Sequence, residues 1–121
     1  MRTPATPPGP FQVPEVRPAA AAADRLLVEG GLTPSELRTA ANRGVAKLFP
    51  AHVGGIQYLK SLLAVLPGAR VMATGGVTVD NAADWLAAGA FSVSIGSHLY
   101  RDDDVAGGVA RLRARLDAGT G

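Results

Sequence analysis

From Asp24 onward, the apolar positions of the chain alternate between two spacings. Short, β-rich apolar runs at 25–28, 45–49, 69–74 and 91–95 predict strands. Between them the spacing opens to three and four. Ile56, Leu59, Leu62, Leu63 and Leu66 predict a helix over 54–66, stopped by Pro67-Gly68. A helix over 34–42 is announced by Thr33 as N-cap, Pro34 at the first helical position and Glu36 in the first turn. A third, over 79–88, follows Thr78 and ends before Gly89. The last, over 105–118, gathers Val105, Val109, Leu112 and Leu116 on one face. Arg111, Arg113 and Arg115 mostly take its other face, and the acids at 102–104 stand at the favourable end of its dipole.

Strands alternating with helices predict an α/β fold of four consecutive βα units, paired in parallel through right-handed crossovers. The nearly all-apolar run Val45-Ala46-Lys47-Leu48-Phe49 suits a sheet covered on both faces. Four such units fit one half of a (β/α)8 TIM barrel, and they also fit a small open sheet. The pattern alone leaves both open.

The first 23 residues break this rhythm. Prolines at 4, 7, 8, 10, 14 and 18 remove donors and fix φ, so residues 1–23 are expected to be a Pro/Ala-rich, mostly disordered tail. Its alanine run, from Ala19 to Ala23, is expected to start a short helix. The structured domain is then 24–121. No apolar h-region of signal-peptide length precedes it, and no apolar run nears the ~18 residues of a membrane span, so a cytoplasmic protein is expected.

Composition narrows the chemistry. The chain has 121 residues, 47% of them hydrophobic and 18% charged, enough to bury a core. It has no cysteine and only two histidines, His52 and His98, which excludes disulfide scaffolds, thiolate metal sites and cysteine catalysis. A net charge of +2 is too small to imply nucleic acid.

Three features carry candidate chemistry. Lys47 sits mid-strand among apolar residues, where an ammonium is costly. Such a lysine is paired, snorkels to solvent, or is neutral and able to attack a carbonyl. Thr74-Gly75-Gly76 follows a strand, where glycines let backbone N–H groups and a ligand approach closely. Gly96-Ser97 follows the last strand in the same way. Glycine-bearing turns after the last two strands are where closed (β/α)8 barrels commonly hold a phosphate.

The string Ala46-Lys47-Leu48-Phe49-Pro50-Ala51 resembles the Lys-Leu-Phe-Pro-Ala signature of the 2-keto-3-deoxy-6-phosphogluconate (KDPG) aldolases. Gly54-Gly55-Ile56-Gln57-Tyr58-Leu59-Lys60, Leu66-Pro67, Thr74-Gly75-Gly76-Val77, Asn81 and Gly96-Ser97 follow at matching distances. Upstream, Gly31-Leu32-Thr33-Pro34-Ser35-Glu36 is similar to the family's Gly-Val-x-Thr-Pro-Ser-Glu segment. The resemblance covers about residues 25–118. Asp84-Trp85-Leu86-Ala87-Ala88-Gly89-Ala90 and Leu99-Tyr100-Arg101 also look like the phosphogalactonate-cleaving relatives, whereas Thr74 favours the phosphogluconate type.

The resemblance implies a class I aldolase, trimeric and built on a (β/α)8 barrel. It cleaves a phosphorylated keto-sugar acid to pyruvate and glyceraldehyde 3-phosphate, without metal or other cofactor. It implies Lys47 as the Schiff-base lysine and Phe49 as packing on the pyruvate part. It implies substrate contacts from Thr74, Gly75 and Gly76, and phosphate contacts from Gly96 and Ser97. No membrane and no nucleic-acid partner is implied.

Only the C-terminal half of the family pattern is matched, so the family's catalytic glutamate, a phosphate arginine and a keto-acid threonine have no counterpart. Glu29 and His52 come into question as substitute proton carriers, though both read more simply as ordinary loop or strand-end residues. Ala73 stands where the family usually has proline. A half barrel has unpaired edges and an uncovered inner face, so the isolated chain is expected to self-associate or to be unstable. Three outcomes follow for it: an aldolase half, a phosphosugar-binding remnant without catalysis, or a half-barrel completed by a partner chain.

Overall fold

A computed structural model describes residues 3–4, 12, 14–96 and 104–119. The elements in chain order are β1 (Thr3–Pro4), α1 (Val16–Ala22), β2 (Arg25–Leu26), β3 (Val28–Gly31) and α2 (Pro34–Arg43). They continue as β4 (Val45–Leu48), α3 (Ala51–Val65), β5 (Val71–Thr74), α4 (Ala82–Ala87), β6 (Ser92–Ser94) and α5 (Val105–Gly119).

The four predicted strands form one parallel sheet in the order β3-β4-β5-β6, each beside its neighbour in sequence. The register aligns Gly30, Lys47, Met72 and Ser92, and one step on it aligns Gly31, Leu48, Ala73 and Val93. Side chains alternate across a strand, so these two sets lie on opposite faces. Ala46, Leu48, Val71 and Ala73 are packed in a single core with Leu37 and Ala40 of α2, Leu59 and Leu62 of α3, and Ala82 and Trp85 of α4. The helices therefore cover one face of the sheet. Lys47 and Met72 lie on the other and are only half-buried. The expectation of a sheet covered on both faces is corrected accordingly: within the described residues, helices shield one side alone. Sequential strand order with all helices on one side is the winding of a barrel wall, and it excludes the doubly wound open sheet.

Local chemistry accounts for the element ends. At α2 the expected cap is complete. The Glu36 backbone N–H donates to Thr33 Oγ1 at 3.3 Å, and Glu36 Oε1 accepts from the Thr33 backbone N–H at 3.0 Å. Bonds donated to the carboxyl by the Thr33 backbone N–H, the Thr33 hydroxyl and the Leu32 backbone N–H, in that order, hold Glu36 below its ordinary 4.5. A depressed carboxyl stabilises the fold above its unfolded value, and that contribution fades as pH falls through the folded one. Replacing Glu36 by Gln is expected to flatten the acid limb of a stability–pH profile. Thr33→Ala is expected to cost about 1 kcal/mol in urea unfolding at neutral pH.

Three boundaries differ from expectation. The helix expected over 54–66 is preceded by a turn from Ala51, and the two are joined across Gly55, whose backbone is non-helical (φ 70, ψ −170). The helix expected over 79–88 is shorter, because Thr78 and Asn81 bond each other reciprocally and form a separate turn. Residues 16–22, expected within a disordered tail, form α1, with Pro18 in its first turn, where a missing N–H costs nothing. Thr3–Pro4 pairs in parallel with Arg25–Leu26 as a separate two-stranded sheet.

Glu29 has a structural task that the sequence did not announce. It is 1% exposed and in register with Ala46, so its side chain lies on the helix side. Arg17 of α1 reaches it from Nε at 3.0 Å and from Nη2 at 2.8 Å, and Arg43 at the end of α2 stands 3.6 Å away. This bonding raises the Arg17 guanidinium above its ordinary value. The carboxylate thus fastens two helices to one strand.

Candidate active site

The site occupies the C-terminal rim of the sheet. β4 presents Lys47 away from the helices, and no described residue hydrogen-bonds or ion-pairs with it. The reading in which a carboxylate pairs with Lys47 is thereby set aside among the described residues, while the half-buried side chain fits the reading in which it reaches solvent. Phe49, two residues on, stands at the rim and is 37% exposed. Its backbone N–H donates to Gly31 O at 3.1 Å, so β4 stays tied to β3 past its last paired residue. The Phe49-Pro50 peptide is cis.

The loop after β5 meets this rim from the side. Thr74 is in the register step two residues beyond Met72, on the face of Lys47, and is buried. Gly75 and Gly76 both have positive φ, 88° and 77°. Phe49 Cδ2 lies 3.1 Å from where a Cβ on Gly75 would stand, and a Cβ on Gly76 would overlap that of His52. Gly75 O also accepts from the His52 backbone N–H at 3.1 Å. Glycine is therefore required twice, for backbone conformation and for close approach. Asn81, which sequence reading matched to a pattern without a role, holds the loop from behind. Its Oδ1 accepts from Thr78 N–H at 2.7 Å and its Nδ2 donates to Gly76 O at 3.2 Å. The Asn three residues after a Thr in a strand-to-helix turn is the signal that could have found it.

Gly76→Ala is expected to destabilise the chain by about 2 kcal/mol, from left-handed strain plus displacement of His52. Gly68 has φ 80 but nothing near its missing side chain, so Gly68→Ala should cost only the strain, roughly half as much. Paired urea titrations of the two variants check the difference.

The rim thus joins Lys47, Phe49, Thr74, Gly75 and Gly76. Gly96 lies beyond β6, exposed and with open space around it. Ser97 lies outside the described residues, as does His98. Of the two substitute proton carriers, His52 stands exposed at this rim beside Gly76. Glu29 does not: it faces the helices, across the sheet from Lys47, and is engaged by Arg17. As a candidate base it is corrected to a structural residue.

Known proteins share this arrangement. The family model for KDPG and KHG aldolase matches residues 9–113, reaching well into the segment read as a tail. The 2-dehydro-3-deoxy-6-phosphogalactonate aldolase of Escherichia coli is 45% identical over 75 residues, which is 60% of this chain and 37% of that protein. A probable 2-dehydro-3-deoxy-6-phosphogalactonate aldolase of Rhizobium meliloti is 41% identical over 108 residues, 84% of this chain and 50% of that protein. A solved structure described as native KDPGal superposes with a TM-score of 0.81 at 34% identity, covering 92% of this chain and 57% of that one. A 4-hydroxy-2-oxoglutarate/2-deydro-3-deoxyphosphogluconate aldolase structure superposes at 0.69 and 28% identity, over 91% of this chain and 54% of that one. The chain spans about half the length of the curated and solved relatives it matches most fully. With the lysine strand, the glycine loop and the one-sided helix layer in place, this chain belongs to the KDPG and KHG aldolase family.

Proposed function

We propose that this chain carries the Schiff-base half of a class I aldolase acting on a 2-keto-3-deoxy-6-phospho sugar acid, with pyruvate and glyceraldehyde 3-phosphate as products. The observation that carries it is Lys47: a lysine whose side chain has no partner among the described residues, on the face of a parallel sheet opposite its helices, next to a rim built from two glycines.

In this reading the Lys47 amine adds to the substrate C2 carbonyl and water leaves, forming a protonated imine. The C3–C4 bond then breaks, its electrons moving into the imine to give an enamine. The C4 hydroxyl surrenders its proton to a base and becomes the aldehyde of glyceraldehyde 3-phosphate. The enamine takes a proton at C3, and water releases pyruvate and restores Lys47. No electron sink beyond the imine is needed. Phe49 packs on the three-carbon keto acid, since it shares the face of Lys47. Thr74, Gly75 and Gly76 contact the keto acid or the phosphate, and Gly96 with Ser97 takes the phosphate. The base comes from strands outside the described residues, with His52 the described histidine whose side chain meets Gly76 at the rim loop. The working protein is a homo-oligomer in the manner of the family.

The test is pyruvate release from the gluconate and galactonate epimers, followed with the chain alone. Turnover of one epimer supports an aldolase complete in this chain and names its substrate. Pyruvate trapping on Lys47 without turnover supports a half that needs further strands. Binding of glyceraldehyde 3-phosphate with no trapping selects a phosphosugar-binding remnant instead.

A further inference from the structure

A second cavity lies on the other side of the sheet. Arg25, Leu27 and Glu29 alternate onto the helix side of their strand segment, the side on which Glu29 meets the helices. α1 crosses above them with Arg17, Ala20 and Ala21 at positions i, i+3 and i+4, one stripe of its surface. Arg43 closes the end from the last turn of α2. Together these six residues other than Glu29 line a cavity of about 270 Å³. The short alanines are what leave it open.

Its electrostatics are one-sided. Glu29 is the carboxylate among these groups and is already engaged, with Arg17 Nη2 at 2.8 Å and Arg43 Nη1 at 3.6 Å. It holds two guanidinium groups at the cavity wall before any ligand arrives. Arg25 has no partner among the described residues. Three guanidinium groups line the cavity, with Glu29 beside them and Glu15 also acting on Arg17.

We propose that this cavity binds the phosphate monoester of a small metabolite, at a site separate from the Lys47 rim. A phosphate monoester carries about −1.5 to −2 at pH 7, opposite in sign to the guanidinium groups that line the cavity. Guanidinium forks fit phosphate oxygens in pairs, and Arg25 and Arg43 have donors to spare. Leu27, Ala20 and Ala21 provide an apolar wall for the carbon chain of the ester. The inference does not rest on the aldolase reading, because none of its residues lies on the face of Lys47.

The experiment is a titration of the full chain with glycerol 3-phosphate at constant ionic strength, read on the arginine Nε–Hε resonances. Glycerol and sodium chloride serve as probes of the carbon chain and of screening. Saturable shifts at Arg25 and Arg43 are expected, with affinity lowered about tenfold in Arg25→Ala and lost in Arg25→Ala/Arg43→Ala. Arg25→Lys should bind between wild type and Arg25→Ala, since it keeps charge but loses the fork. Equal shifts with sodium chloride, or undiminished affinity in Arg25→Ala, would each overturn the proposal. Arg25 is exposed and bonds no described residue, so its removal leaves the fold intact even where Arg43→Ala does not.

Discussion

Lys47→Ala abolishes the covalent adduct that forms when the chain is incubated with pyruvate and borohydride; that is the largest effect expected of any single substitution. Reduction of an imine fixes the keto acid to the amine that attacked it, so intact mass reports the attacking residue directly. Lys60 is the other lysine of the chain and is exposed on α3, where a hydrated ammonium has no reason to form the imine. Lys47→Arg separates the chemistry from the charge. The guanidinium keeps the cation at the same place on β4 but has no amine able to become an imine, so it too yields no adduct. An adduct that persists in Lys47→Ala would move the chemistry off β4 and end the Schiff-base reading. The outcome also bears on the glycine loop. If trapping by pyruvate survives in Gly76→Ala, the loop serves the distal part of the substrate rather than the keto acid.

Arg17→Ala destabilises the chain more than Arg43→Ala does, measured as a lower urea midpoint with an unchanged slope. The cause is the carboxylate it leaves behind. Glu29 is 1% exposed and Arg17 is 26% exposed, so solvent cannot replace the lost pair of hydrogen bonds without opening the space between α1 and the sheet. Arg43 stands at 3.6 Å and is 39% exposed, too far and too solvated to take over. Arg43→Ala should therefore cost about 1 kcal/mol or less. Equal costs for the two variants would mean that Glu29 is held by both alike, and that α1 is not the element it fastens.

These two residues mark what could be read along the chain and what could not. Lys47 was legible because it interrupts an apolar run, and one charged residue among β-branched and aliphatic neighbours is conspicuous whatever the fold. The elements were legible for a similar reason. Thr33, Pro34 and Glu36 act within one helical turn, and the three-and-four spacing of α3 repeats along its own axis, so local order encodes both. The glycine loop could be named but not explained. Its requirement for glycine comes from Phe49 and His52, more than twenty residues earlier, pressing on it from the end of β4 and the first turn of α3.

The ion pairs of Glu29 are not legible along the chain because its partners lie 12 and 14 residues away on two different helices, at no spacing that a periodic pattern registers. Only the register of β3 against β4 shows that it turns from Lys47 and cannot serve as its base. The same holds for the choice between barrel wall and open sheet. Each βα unit has an identical local signature in both, since a right-handed crossover can be laid on either side of a sheet by changing the order of strands. Along the chain, then, apolar spacing and capping chemistry were sufficient for the kind and sequence of the elements and for singling out Lys47. Strand order, the face each strand turns to the helices, and the cavity between Arg17, Arg25 and Arg43 arise from contacts between residues distant in sequence, and those exist only once the sheet has formed.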